Sequence, residues 1–196
     1  MEGNIAVRFV FKEESILQSS YMKKHFNRIY EQRETFLDVL KPFKDREWEP
    51  PIEGKWSFGE TYYHLYLMVK RFRQLNKIYV PIYKPIATIR RRASYKTDIH
   101  DIYAEYTQNN KQPMKAPSVL LPPKGIQDKI MFEEIIINLE TETHILEEGL
   151  ANIPDDIAGQ IRYPDPIAYY PNLIQSINLI GIHEKHHFNL CKNYYL

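Results

Sequence analysis

Four long segments of the chain repeat apolar residues at every third or fourth position, and this periodicity constrains the fold more than any other feature. Such spacing places the apolar side chains on one face of an α-helix. The four segments extend from about Glu13 to Leu40, from Ser57 to about Leu75, from about Gln127 to Ala151 and from about Asn172 to Lys192. We therefore predict an all-α fold, a four-helix bundle in which the apolar faces pack on one another.

Prolines lie between these segments and predict the connections. The widest connection, from Val80 to Lys124, contains six prolines and one short helical pattern from Ile99 to Tyr106. A connection of this length is expected to cross one end of the bundle. Ordered connections of this kind are often functional.

The second helix has the clearest start signal in the chain. Ser57 and Glu60 have the spacing of a capping box, in which each side chain accepts a hydrogen bond from the backbone N–H of the other residue. With Ser57 as the N-cap, His64 falls on the same helix face as Leu65 and Met68. His64 is therefore predicted to point toward the core.

Two histidines interrupt the apolar stripe of the last helix. His183 and His187 are four residues apart, so their rings lie one above the other and can converge on one metal ion. A metal site used for chemistry commonly has three protein ligands and an open position, and His64 is the best candidate for the third ligand. The spacing by itself leaves open the alternative that the pair is buried and satisfied by hydrogen bonds.

The segment from His183 to His187 also matches the H-E-x-x-H pattern of zinc proteases, in which the Glu acts as a general base. Such enzymes usually take a further ligand downstream, but only nine residues follow His187, and none of them is His, Asp or Glu. We therefore disfavour the protease interpretation. Glu184 is expected to be solvated or to lie beside the metal ligands.

Three further features are candidates for a role at this site, and each has a simpler explanation. Glu60 is a candidate catalytic proton acceptor, although its capping role explains its presence equally well. Cys191 is either a fourth metal ligand or a small apolar filler. The basic run Arg90, Arg91 and Arg92 is either an anion-binding rim to the metal cleft or a solvated loop.

The remaining histidines are expected to have ordinary structural positions. His186 lies about 100° around the helix from His187, which predicts that it faces a neighbouring helix or solvent. His25, His100 and His144 lack a comparable histidine pairing. We expect surface or boundary positions for these three.

Two segments together resemble the signature segments of the DinB/YfiT-like superfamily. The first is Trp56-Ser57-Phe58-Gly59-Glu60 followed by His64-Leu65, and the second is His183-Glu184-Lys185-His186-His187. The resemblance covers nearly the whole chain in the order and spacing of its helices. It implies an up-down-down-up four-helix bundle with a long crossover, often dimeric, and a divalent metal ion bound by His64, His183 and His187.

The resemblance also implies the classes of function to expect. Members of the superfamily include transferases that use low-molecular-weight thiols such as bacillithiol, and others are described as metal-dependent hydrolases. We expect a metal-dependent enzyme acting on small molecules, either a bacillithiol-type thiol S-transferase or a hydrolase in which Glu60 accepts a proton. A bundle that binds a metal or a small molecule without catalysis is the third alternative. The ion is expected to be Zn, Ni, Fe or Mn.

Composition argues against several classes of partner and location. The chain has 26 basic and 25 acidic residues, so no large positive field attracts nucleic acid or an anionic membrane. No apolar run approaches the roughly 18 residues of a spanning helix, and the single cysteine and charged start favour the cytoplasm.

A single domain is expected over residues 1–196, because a chain of this length buries one sizeable core. Apolar and polar residues alternate from Ile5 to Phe11, which predicts an extended N-terminal arm over residues 1–12. This arm and the 15 tyrosines and nine phenylalanines of the chain are compatible with a homodimer, and the arm could equally pack on its own bundle.

Overall fold

The computed structural model describes residues 16–110, 116–166 and 168–196, and its regular structure there is helical. The predicted arm at residues 1–12 lies outside these ranges. The helices are α1 (Ser20–Leu40), α2 (Phe58–Ile89), α3 (Ile102–Asn110), α4 (Phe132–Gly149), α5 (Asp155–Ala158) and α6 (Leu173–Tyr195). Single 3₁₀ turns occur at Lys41–Phe43, Ser118–Leu120 and Ile126–Asp128. The prediction of an all-α fold is confirmed for the described residues.

Helix α2 is longer than its sequence pattern predicted. The prolines at positions 81 and 85 were expected to end the helix near Val80, yet it continues to Ile89. Both prolines are exposed, as is Lys77. A proline inside a helix frees the carbonyl four residues earlier, and here those carbonyls, at Lys77 and Pro81, are on the solvent side. Water can therefore replace the lost hydrogen bonds.

A second capping box, which the sequence analysis missed, starts helix α6. Asn172 accepts a hydrogen bond from the backbone N–H of Gln175 (2.9 Å), and Gln175 accepts one from the backbone N–H of Asn172 (3.0 Å). The amide groups of these residues also donate to the backbone carbonyls of Lys96 and Asp98, both at 2.7 Å. The crossover between α2 and α4 is thereby fastened to the start of α6.

Side-chain contacts give the relative directions of the long helices. Helices α1 and α6 run in the same direction, because the residue numbers of their contacting pairs increase along both helices. These pairs are Arg28–Asn178, Arg33–Glu184 and Phe36–Phe188. Helices α2 and α4 likewise run in the same direction, through Tyr62–Phe132 and Arg73–Glu142. Helices α2 and α6 are antiparallel, because Phe58 stacks on Tyr195 and His64 meets His183. The start of α2 therefore faces the end of α6.

A buried ion pair crosses the centre of the bundle. Arg33 of α1 is 2% exposed and Glu184 of α6 is fully buried. The Arg33 guanidinium donates to both oxygens of Glu184, with Nε 2.9 Å from Oε2. It also donates to Thr143 Oγ1 of α4 at 2.9 Å and lies 3.3 Å from Glu140 Oε1. One side chain thus joins three helices.

His25 of α1 is buried rather than at the surface or a boundary, which corrects the prediction for this residue. It is 7% exposed, and neither ring nitrogen has a hydrogen-bond partner among the described residues. Burial, together with the nearby positive charges of Arg28 and Lys24, lowers the pKa of His25 from 6.5 to about 4. The imidazole is consequently neutral at pH 7.

No helix in the described part of the chain is both long enough and apolar enough to cross a membrane.

Replacing Arg33 by methionine is expected to destabilise the fold by about 3–5 kcal/mol, because it leaves the Glu184 carboxylate buried without a counter-charge. The free energy of unfolding, measured by urea titration, gives the effect. The double variant Arg33→Met/Glu184→Leu should recover most of the loss, since both buried charges are then absent. Equal stability of the single and double variants would contradict this account.

His25 is expected to make the fold sensitive to mild acid. The pKa of His25 is lower in the folded chain than in the unfolded chain, so its stabilising effect is complete above about pH 6.5 and is lost as the pH falls toward 4. His25→Leu should reduce the difference in unfolding free energy between about pH 7 and pH 5 by roughly 1–2 kcal/mol. Ile29→Val, one turn along α1 and also buried, is the matched control, because it removes no titratable group and should leave that difference unchanged.

Candidate metal centre

The capping box at Ser57 and Glu60 sets the start of α2 and hence the position of His64. The Ser57 hydroxyl accepts a hydrogen bond from the Glu60 N–H at 3.1 Å, and Glu60 Oε2 accepts one from the Ser57 N–H at 2.9 Å. Between them, Gly59 packs so tightly against the Trp48 ring that a side chain there would overlap it. This confirms the predicted helix start, and His64 follows one turn after Glu60.

His64, His183 and His187 come together where the start of α2 meets the end of α6. Their candidate ligand nitrogens lie within 4.8 Å of one another. The ring centroids are separated by 5.0 Å for His64 and His183, 4.8 Å for His64 and His187, and 4.6 Å for His183 and His187. Among the described residues, this is the one cluster of three or more potential metal-ligating side chains. The structure therefore brings together the three residues predicted from the sequence.

Hydrogen bonds outside the cluster orient two of the three rings. His64 Nδ1 is 2.8 Å from the carbonyl oxygen of Leu120. A carbonyl can only accept, so Nδ1 carries the proton and the lone pair of His64 Nε2 faces the cluster. Nδ1 of His183 is 2.8 Å from the hydroxyl of Tyr103. The Nε2 atoms of His64 and His183 therefore face the centre of the histidine cluster, on the opposite side of each ring from Leu120 and Tyr103.

The electrostatics of the site favour neutral imidazoles. Burial lowers the pKa of all three histidines. For His187, burial and the neighbouring His64 together lower the pKa to about 3. For His183, the neighbouring His187 and His64 add to the effect of burial. Neutral imidazole is the form that binds transition metals, so these rings are available as ligands at pH 7.

The donor set fits a divalent transition metal. Nε2 of His64 is 2.9 Å from Nε2 of His183, a separation at which two lone pairs repel unless a proton or a cation lies between them. Two nitrogen ligands of one zinc ion lie at most about 4.2 Å apart, since each bond is about 2.1 Å long. If an ion bound, ring nitrogens 4.8 Å apart would have to approach each other by at least about half an ångström.

Aromatic residues form the wall around the histidines. The Trp56 ring is 5.0 Å from His64 and stacks on His187 at 6.0 Å. Tyr103 of α3 contacts His183 edge to face at 5.0 Å and stacks on His186 at 5.2 Å. His186 therefore faces the crossover helix α3, as an additional aromatic side chain beside the ligands.

Three of these contacts were not predicted from the sequence: those of Trp56, Tyr103 and the Leu120 carbonyl. For Trp56, the available signals were its position directly before the Ser57 cap and its place in the first signature segment. Tyr103 and Leu120 belong to the crossover, where no periodicity connects them to α2 or α6. Their approach to the histidines depends on how the crossover folds back.

Glu60 is four residues before His64 and Cys191 four residues after His187, and both have local partners. Glu60 Oε2 accepts the Ser57 N–H, so the carboxylate caps the helix, and a catalytic role for it stays a prediction. The buried Cys191 thiol is 3.8 Å from the Thr61 hydroxyl, and burial raises its pKa to about 11. A protonated thiol is a poor metal ligand, which favours the interpretation of Cys191 as an apolar filler.

Glu184 is neither solvated nor directed at the metal ligands, so the prediction for it was wrong. Its neighbours His183 and His187 face α2, whereas Glu184 lies about 100° around the helix and faces Arg33 of α1. The two histidines and the glutamate of the H-E-x-x-H pattern therefore lie on different faces of α6. With its carboxylate held by a buried guanidinium, Glu184 cannot serve as the general base of a protease.

The structure does not bring Arg90, Arg91 and Arg92 to the histidines. They are exposed at the far end of α2, 26 or more residues after His64, which corresponds to about 39 Å along a helix. Arg91 pairs with Asp156 at 2.7 Å. Their position gives no support to an anion-binding rim at the metal cleft.

Comparison with known proteins identifies a family. A family model described as DinB superfamily matches residues 28–191, which include all three clustered histidines. No curated protein and no solved structure matches the chain.

Tyr103→Phe is expected to weaken metal binding by about tenfold or more, because the loss of the hydroxyl removes the hydrogen bond that orients His183. The dissociation constant can be measured by competition with a chromogenic chelator. Tyr63→Phe, also at a half-buried tyrosine but on α2, is the control and should keep wild-type affinity. Wild-type affinity in Tyr103→Phe would show that Tyr103 does not orient the ligand.

Proposed function

Because the chain belongs to the DinB superfamily, we propose that it is a divalent-metal-binding enzyme that acts on small molecules, as a thiol S-transferase of the bacillithiol type. The observation that carries the proposal is the convergence of three neutral imidazoles on one point, two of them buried and the third, His187, half-buried. A divalent ion with three such ligands keeps its full charge and an open position, and it lowers the pKa of a thiol or water bound to it.

The carboxylates of Glu60 and Glu184 already have partners within the protein, and this favours thiol transfer over hydrolysis. Hydrolysis needs a proton acceptor for the attacking water, but Glu184 is paired with Arg33 and Glu60 caps α2. A thiol needs no separate base once its proton has been lost. The Trp56 and Tyr103 rings provide an aromatic wall against which an electrophilic small molecule can pack.

Hydrolysis is the second candidate, and one observation supports it. Glu60 lies one turn before His64 on α2, and its capping hydrogen bond uses only one carboxylate oxygen, Oε2. The other oxygen is available to accept a proton. A metal-binding bundle without catalysis is the third candidate.

For the fold, we propose the up-down-down-up topology with a long crossover. The shared direction of α1 and α6, the shared direction of α2 and α4, and the antiparallel contact of α2 with α6 support it. The crossover would be the chain between Ile89 and Phe132, which supplies Tyr103 and Leu120 to the histidines.

Metal binding is tested by elemental analysis after chelation and reloading with Zn, Ni, Fe or Mn. Wild type and the control His144→Ala should bind one ion per chain, whereas His64→Ala and His183→Ala should lose it, because removing one of three ligands weakens binding by orders of magnitude. Equal metal content in all four proteins would contradict the metal site.

The reaction is tested with Glu60→Gln, which separates the two chemistries. Glutamine at this position can still accept the Ser57 N–H, so the helix cap is retained, but it cannot accept a proton. If the loaded protein joins bacillithiol to an electrophile, Glu60→Gln should retain that activity. Hydrolysis of an ester or amide panel that Glu60→Gln abolishes would favour the hydrolase, and inactivity in both assays would favour the binding protein.

A further inference from the structure

The second half of α2 carries an apolar stripe that the fold does not cover. The stripe consists of Leu75, Ile78, Ile82, Ile86 and Ile89, and these residues are between 46% and 85% exposed. Their spacing of three or four residues places them on one side of the helix. The bundle core uses another face of α2, at Asn76, Val80 and Ala87. Core packing therefore does not explain four isoleucines at exposed positions.

The chain around the stripe is basic. From Thr61 to Thr97 the sequence contains nine Lys and Arg residues and no Asp or Glu. Two of the nine pair with acidic side chains of other helices, Arg73 with Glu142 and Arg91 with Asp156. The segment keeps a local excess of positive charge, which the net charge of +1 for the whole chain conceals. A negatively charged surface complements this region.

Exposed basic residues border the stripe at both ends. Arg71 lies one turn before Leu75, in line with the stripe, and Arg90 and Arg92 follow Ile89. The basic run that lies far from the histidine cluster is thus adjacent to the exposed isoleucines. Apolar and positively charged groups are therefore presented on the same side of the protein.

The two flanks of the stripe differ in chemistry. Helix geometry places Lys77 on one side of the stripe and Tyr83 on the other, and both side chains are exposed. Tyr83 stacks on Tyr79 with ring centroids 4.1 Å apart, and the Tyr79 hydroxyl donates a hydrogen bond to the carbonyl of Arg162 at 2.7 Å. The tyrosines are thus held at the edge of the exposed face, and its centre is aliphatic.

This distribution of residues favours a lipid surface over a protein partner. Helices that lie in a membrane interface bury aliphatic side chains at the acyl boundary, while Lys, Arg and aromatic residues lie at the level of the headgroups. Protein interfaces instead concentrate aromatic residues in their buried centre. The exposed face of α2 has an aliphatic centre with tyrosine and basic residues around it, as in an interfacial helix.

We propose that the second half of α2 docks the protein peripherally on an anionic lipid surface. The stripe from Leu75 to Ile89 is about 21 Å long and lies along the surface, with its isoleucines between the headgroups and the acyl chains. Arg71, Arg90 and Arg92 contact lipid phosphates and carboxylates at its two ends. The proposal uses no residue of the histidine cluster, so its outcome is independent of the proposed metal enzyme.

The first test is co-sedimentation of the full chain with phosphatidylcholine vesicles that contain either no phosphatidylserine or about one third phosphatidylserine. The wild type should bind the anionic vesicles at least about tenfold more tightly than the neutral ones. Raising the salt from about 0.1 M to about 1 M should remove this preference, because the ions screen the attraction between the basic residues and the lipid.

Two substitutions separate the apolar and the charged contributions. Ile82→Gln should weaken binding to anionic vesicles at least about tenfold, because an aliphatic side chain no longer leaves water. Its control is Ile137→Gln, since Ile137 of α4 is 52% exposed but lies outside the stripe. Arg71→Gln should weaken binding about fivefold, and Lys129→Gln, at an exposed site before α4, is its control. Both controls should bind as the wild type does, and circular dichroism should show folded helix in all four variants.

The second test locates the contact with an environment-sensitive fluorophore attached to Ile82→Cys. Its emission should shift to the blue on anionic vesicles, whereas the same label on Ile137→Cys should not respond. The native Cys191 is buried, so the label reports on the introduced cysteine.

Several outcomes would overturn the proposal. One is a wild type that binds neither kind of vesicle, and another is binding that Ile82→Gln and Arg71→Gln leave unchanged. Equal fluorescence shifts at positions 82 and 137 would also contradict it. A wild type that ignores vesicles and forms a dimer that Ile82→Gln dissociates would overturn it in favour of a second copy.

Discussion

The buried pair of Arg33 and Glu184 is the interaction on which the arrangement of the site depends. A carboxylate without exposure to water needs a counter-charge, and the Arg33 guanidinium supplies it while also reaching Thr143 of α4. This requirement sets the rotation of α6 about its own axis. Because Glu184 must face α1, the adjacent His183 faces α2 and meets His64. The histidine cluster is therefore positioned by an ion pair that takes no part in it.

The crossover completes the site from outside the helix pair. Its Leu120 carbonyl fixes the protonated nitrogen of His64, and its Tyr103 hydroxyl contacts the outer nitrogen of His183. The crossover is in turn fastened to the start of α6 through the side chains of Asn172 and Gln175. A crossover that is rich in proline and lacks helical periodicity thus orients two of the clustered histidines. The chemistry proposed for these histidines therefore depends on the crossover keeping its folded conformation.

Helix α2 has different roles at its two ends. Its first turns hold the capping box and His64 against α6, whereas its last turns, beyond the start of α6, carry the exposed isoleucines. Leu75, the first of these exposed apolar residues, lies 11 positions beyond His64, so substitutions at the exposed end of α2 leave the histidine cluster intact. The two exposed prolines are compatible with a continuous α2, because the carbonyls they free face solvent rather than the core.

Local patterns in the sequence determined the all-α class, the start of α2 at its capping box and the three clustered histidines, since helix periodicity and capping depend on residues a few positions apart. They did not predict that α2 continues through Pro81 and Pro85, because that depends on which face of the helix is solvated. Nor did they reveal that Glu184 pairs with Arg33, which lies 151 positions away in the sequence. Contacts between distant segments, such as Tyr103 with His183, arise only when the helices pack. The sequence alone thus identified the three histidines that cluster, and the tertiary structure decided what orients them.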